Sequence, residues 1–102
     1  MRIIICGAGQ VGLGIAERLA AEGNDVIMID SSAKLVQRAN DVLDVRATLG
    51  NGAHPDTLAK AGAGDADMLI AVTFHDEVNM VACHVASTLF NVPTKIARVR
   101  AQ

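Results

Sequence analysis

A doubly wound α/β domain, with a parallel sheet between two layers of helices, is the fold class the sequence predicts, and three observations predict it. Short apolar runs alternate with stretches of helical periodicity along the whole chain. Hydrophobic residues make up 51%, yet Phe74 and Phe90 are the only aromatics, so the core must be built from Ile, Val, Leu, Met and Ala. That is the composition of strands buried on both faces. Finally, Gly7-Ala8-Gly9-Gln10-Val11-Gly12 follows directly on Ile3-Ile4-Ile5-Cys6 and opens a helical stretch, with Asp30 eighteen residues beyond Gly12. The 102 residues suit one domain, 1–102.

Each element has its own signal. Arg2–Cys6 is the first strand, and Gln10–Glu22 the first helix, with Val11, Ile15 and Leu19 stacked at a spacing of four and Gly23-Asn24 as the stop. Val26–Asp30 is a second strand of four apolar residues closed by an acid. Ser31 or Ser32 caps a second helix carrying Leu35, Val36, Ala39 and Leu43. Val45–Leu49 is a short third strand, and Gly50-Asn51-Gly52 is a loop. His54-Pro55-Asp56 starts a short helix with proline at its first position. Ala66–Thr73 contains a fourth strand centred on Met68–Val72. Asp76–Phe90 is the longest helix, Asn91-Val92-Pro93 breaks it, and Thr94–Val99 is a fifth strand. Alternating strands and helices imply right-handed crossovers and a doubly wound parallel sheet, and strand order 3-2-1-4-5 is expected. A full domain of this kind adds a helix and a sixth strand. Ending at Arg100-Ala101-Gln102, the chain is expected to be part of a longer protein, truncated before the last strand, with an open edge at strand five.

Composition excludes several functions. A net charge of −2 and the scarcity of aromatics leave neither a basic face nor a stacking platform for nucleic acid. No apolar run approaches the roughly 20 residues that span a bilayer. The chain enters a strand at once, so no secretory signal is expected. Cys6 and Cys83 lie in apolar segments and read as buried free thiols of a reducing compartment, which places the protein in the cytosol. His54, His75 and His84 lack metal-ligand spacing, and no metal site is expected.

The glycine loop carries the chemistry. Gly7 permits a tight turn, Gly9 lets backbone approach a pyrophosphate, and Gly12 lets the helix lie close to the strand. Free N–H groups at the helix start, with the positive end of the helix dipole, suit phosphates. Asp30 suits the hydroxyls of the adenosine ribose. Ligands of such sheets bind along the carboxyl ends of the strands. There the sequence gathers the loop Gly7, Ala8, Gly9, Gln10 and Val11, then Asp30-Ser31, Asn51-Gly52, Thr73-Phe74 and Arg98. Simpler roles compete: Asp30 as a helix cap, Asn51-Gly52 as a turn, Thr73 as a strand end, and Arg98 as a solvated side chain. His54 reads as a helix-start residue, His75 as a loop residue, and Asp76-Glu77 as acids complementing a helix dipole. NAD or NADH is favoured over the 2′-phosphorylated dinucleotide, because Asp30 repels a 2′-phosphate and Lys34 is the only nearby cation. ATP or ADP stays open as a ligand of the first half of such a fold.

Three further phrases are more distinctive than the fold requires: Gly50–Ala53, Ala71–Asn79 and Ile96–Arg100. With Gly7–Gly12 they resemble the KTN, or RCK, family, the nucleotide-binding N-terminal domains of Trk-type potassium-uptake regulators. The resemblance runs the length of the chain. It implies a Rossmann-like regulatory module, not an enzyme, that binds NAD, NADH or ATP. It implies self-association into dimers or tetrameric rings at the inner face of the membrane, on a potassium translocator that the module gates. It places the pyrophosphate on Gly7 to Val11, the ribose on Asp30, the adenine side near Asn51-Gly52, further contacts on Thr73-Phe74 and a phosphate on Arg98. Gln10 stands where some ATP-gated relatives carry an arginine, and the region of His75 to Glu77 would face a neighbouring subunit. The competing reading is the cofactor domain of an NAD-dependent oxidoreductase. Against it, the chain has no tyrosine, no room for a substrate domain, and only His75 as a general acid.

Overall fold

Ile3, Ile4 and Ile5 offer no polar side, and the strand they form lies at the centre of the sheet with all three side chains fully buried. The structure, a computed structural model, describes residues 1–100; Ala101 and Gln102, on which the expectation of truncation rests, lie outside the described residues. In chain order the elements are β1 (Arg2–Cys6), α1 (Gln10–Ala21), β2 (Asp25–Asp30), α2 (Ala33–Val42) and β3 (Arg46–Leu49). They continue with α3 (Pro55–Lys60), a 3-10 turn (Ala63–Asp65), β4 (Met68–Ala71), α4 (Asp76–Phe90) and β5 (Thr94–Ala97). The sheet is parallel throughout, in the order β3-β2-β1-β4-β5 that the sequence predicts.

Strand alternation divides the interior into two cores. Ile4, Cys6, Ile27, Ile29, Leu69 and Ala71 face Leu58 of α3 and Ala82 and Ala86 of α4. Ile3, Ile5, Val26, Met28 and Ile70 face Leu13 and Ala16 of α1 and Ala39 of α2. The helices thus lie two on each side, the doubly wound arrangement. Each fully buried isoleucine of β1 contributes about 1.5–3 kcal/mol, so this strand anchors both layers.

Several boundaries move for identifiable reasons. The first helix stops at Ala21, with Glu22 as its C-cap and Gly23 at φ +88°. β2 begins one residue early because the Asp25 amide donates to the Met1 carbonyl at 2.9 Å. Ser32 caps α2, its Oγ accepting from the Leu35 amide at 3.3 Å, and Leu43 is the C-cap, not a helical residue. β4 and β5 end earlier than expected, at Ala71 and Ala97, because a side chain of α4 takes over the backbone groups beyond them. The thiols are both free, but only Cys6 is buried; Cys83 is half-buried. Among the described residues no helix is long and apolar enough to cross a membrane.

Candidate functional site

The carboxyl ends of the five strands converge on a cleft of about 540 Å³, within the usual range for small-molecule sites. Its floor is the loop between β1 and α1. Gly7 sits at φ +115°, and a Cβ there would lie 2.9 Å from the Val72 carbonyl. Its amide donates to the Ile29 carbonyl at 2.7 Å, so the turn joins the ends of β1, β2 and β4. A Cβ on Gly12 would run into the Gly7 carbonyl oxygen. This glycine is what lets α1 descend onto the turn. Over Gly9 the nearest atoms belong to the Phe74 ring, 3.6 Å from where a Cβ would be. Gly9 is the N-cap of α1, with no side-chain cap and no acid in the first turn. Among the described residues no side chain accepts from the first-turn N–H groups, and Gly9, Gln10 and Val11 line the cleft, the arrangement that receives an anion.

Asp30 closes one wall and is wired in by two backbone donors. One carboxylate oxygen accepts from the Ala8 amide and the other from the Ser32 amide, each at 2.8 Å. The Ser32 contact closes a local turn ahead of α2, whose N-cap is Ser32 and not Asp30, and the Ala8 contact ties the acid to the glycine loop. Each oxygen keeps a further lone pair for an incoming hydroxyl. Ser31 lies beside it at the rim. Asn51 lines the same wall while its side chain accepts from the Ala53 amide at 2.8 Å, so its turn role is realised. Gly52 packs on Cys6. Burial pushes the Cys6 thiol up to about 12, with the nearby Cys83 and Asp30 adding to the effect. It is no nucleophile.

The opposite wall is Thr73, Phe74, His75 and Arg98. The Arg98 guanidinium donates to the carbonyls of Thr73 (3.0 Å) and Val72 (3.3 Å) and lies 5.8 Å from the Phe74 ring centroid. Arg98 is thus half-buried and structurally engaged, not an outward solvated side chain. Its Nε is buried without a partner among the described residues. Arg100 approaches the same ring at 5.1 Å. His75 is the N-cap of α4, its amide donating to the Thr73 hydroxyl at 3.2 Å. His54 is the N-cap of α3, as its sequence suggests. Asp76, in the first turn of α4, also accepts from the Arg100 amide at 3.1 Å.

Of the predicted residues, Gly7, Gly9, Gln10, Val11, Asp30, Ser31, Asn51, Gly52, Thr73, Phe74 and Arg98 line the cleft. Ala8 does not; its side chain is buried in the core and only its amide serves the site, through Asp30. Leu35 and Val78 line the cleft without having been anticipated, since both read as core positions of their helices. Also unanticipated is Asn79, the one fully buried polar side chain among the described residues. Among those residues no group of three or more His, Cys, Asp or Glu side chains gathers as metal ligands would.

Residues 3–102 match the family described as TrkA-N domain. The chain belongs to the TrkA-N family. The Trk system potassium uptake protein TrkA of Azorhizobium caulinodans is 67% identical over 102 residues, the whole of this chain and 22% of that protein. The TrkA-N domain of inner membrane protein ybaL from Escherichia coli superimposes with a TM-score of 0.85 at 26% identity, covering 98% of this chain and 73% of that one. The UDP-glucose 4-epimerase of Thermus thermophilus, solved in complex with NAD, shares the fold with a TM-score of 0.73 at 18% identity, over 93% of this chain and 36% of that one. This TrkA-N domain spans about a fifth of the length of the first curated relatives it matches.

Proposed function

We propose that this TrkA-N domain is an NAD(H)-binding regulatory module that gates a membrane potassium-uptake system. What carries the reading is the crevice between the uncapped start of α1 and the Asp30 carboxylate, bridged by the Ala8 amide. In it, amides at the start of α1 would hold the pyrophosphate, and Asp30 would accept from the ribose hydroxyls through its remaining lone pairs. Leu35 and Gly50 to Gly52 would flank the adenine, while Thr73, Phe74 and Arg98 would receive the second half of the dinucleotide. ADP or ATP could use the first half alone. Kinship with Trk system potassium uptake proteins supports a membrane potassium translocator as partner. On this reading the module would be cytoplasmic, peripheral at the inner face, and assembled into dimers or tetrameric rings. Regulation would come from the nucleotide's different affinity for two arrangements of the assembly.

The oxidoreductase reading finds less support. Cys6 is a protonated, buried thiol, and the hydrogen bonds of His75, the general acid the sequence offers at the cleft, are made by its backbone and leave the imidazole unoriented among the described residues. Titration with NADH, followed by its fluorescence, tests the proposal. Asp30→Ala should weaken binding about tenfold or more, the loss expected for removing an ionised acceptor. NADH should also survive incubation with carbonyl compounds. Wild-type affinity in the variant, or steady oxidation of NADH, would defeat this reading.

A further inference from the structure

Asn79 stands in the first turns of α4 with no exposed surface, and all four hydrogen-bonding capacities of its amide are used. Its Oδ1 accepts from the Thr73 amide at 2.9 Å and from the Thr73 hydroxyl at 2.7 Å. Its Nδ2 donates to the Thr73 carbonyl at 3.1 Å and to the Arg98 carbonyl at 3.0 Å. Backbone groups just beyond β4 and β5 are thereby satisfied by one side chain instead of by a neighbouring strand. The same Thr73 carbonyl also accepts from the Arg98 guanidinium, so the two wall residues are fastened to each other and to α4. Asn79 does not itself line the cleft.

We infer that Asn79 is a positioning residue for the second half of the bound dinucleotide, holding Thr73 and Arg98 in register across the ends of β4 and β5. The inference rests on the NAD(H)-binding reading above and adds to it which half of the ligand this amide serves. The adenosine half lies against Gly7 to Val11 and Asp30, which Asn79 does not touch. The half beyond the pyrophosphate lies against the wall that Asn79 holds. A partly satisfied buried network loses its geometry, so disturbance here should act on one half of the ligand selectively.

Asn79→Asp keeps the acceptor oxygen facing Thr73 and replaces the two donated hydrogen bonds by a carboxylate oxygen opposite two carbonyls. The measurement compares NADH and AMP affinities of wild type and variant, with thermal unfolding alongside. NADH affinity should fall on the order of tenfold while AMP affinity stays within about twofold. A general loss of stability would lower both together. Equal losses for the two ligands, or unchanged NADH affinity, would overturn the inference while leaving the nucleotide-binding reading intact. Wild type that binds neither ligand would overturn both. If the variant does not fold, the side-chain amide signals of Asn79 in nitrogen-15-labelled wild type decide. They should shift or gain exchange protection with NADH and stay in place with AMP. Signals indifferent to NADH would contradict the assignment.

Discussion

Two glycines of α1, two positions apart, should respond to alanine in opposite directions. At Gly14 an added Cβ meets nothing within 4 Å, so Gly14→Ala removes backbone freedom from the unfolded chain and should stabilise by about 0.5–1 kcal/mol. At Gly12 the same methyl would overlap the Gly7 carbonyl oxygen and lie 2.9 Å from its carbon. The obstructing atoms are backbone, in a turn held by Gly7 at φ +115° and by its bond to Ile29, so no rotamer change relieves the overlap. Overpacking of this kind costs about 1–3 kcal/mol or more, and the helix-propensity gain of about 1 kcal/mol offsets only part of it. A gap between the two variants of about 2 kcal/mol is expected, which for a domain near 100 residues is roughly 8–16 °C in Tm. Thermal and urea unfolding followed by circular dichroism read it directly. Equal stability of Gly12→Ala and Gly14→Ala would refute the claim that α1 seats on the turn through a side-chain-free contact.

Alkaline conditions should expose the Cys6 thiol as a stability term. Its pKa is raised from 9.0 to about 12, chiefly by burial, so the folded protein keeps a proton that the unfolded chain releases. Below about pH 9 the thiol has no effect, and as pH climbs toward 12 it should cost up to about 4 kcal/mol relative to Cys6→Ala, measured as diverging urea midpoints. Ser32→Ala removes the Leu35 cap and should lower stability by about 0.5–1 kcal/mol, read in the same urea experiment; no change would mean that the 3.3 Å contact contributes nothing.

Strand order and the glycine turn were legible in the sequence because they follow from local patterns that tertiary context cannot reverse. Ile3 to Ile5 have no polar side to turn outward and so mark a central strand, and the glycine loop after them marks the dinucleotide-binding variant of the doubly wound sheet, whose strand order starts 3-2-1-4-5. The position of Asp30 followed from the length of the unit, but its bond to Ala8 did not, since that bond joins residues 22 apart. Arg98 was ambiguous for a related reason: apolar alternation around it says which face it takes, not that its guanidinium caps the end of β4. Asn79 was illegible. It closes the phrase Ala71–Asn79 that carries the family resemblance, but its bonding role exists only once β4, α4 and β5 have come together. The same absence explains why β4 and β5 were expected to run on to Thr73 and Val99.

The most direct test is a crystal structure of the protein grown with NADH. The diphosphate should lie over Gly9 to Val11, with its oxygens about 2.8–3.0 Å from amides of the first turn of α1, and ribose hydroxyls should lie within about 2.8 Å of the Asp30 carboxylate. Electron density for the dinucleotide elsewhere on the surface, with Asp30 contacting no sugar, would contradict this placement.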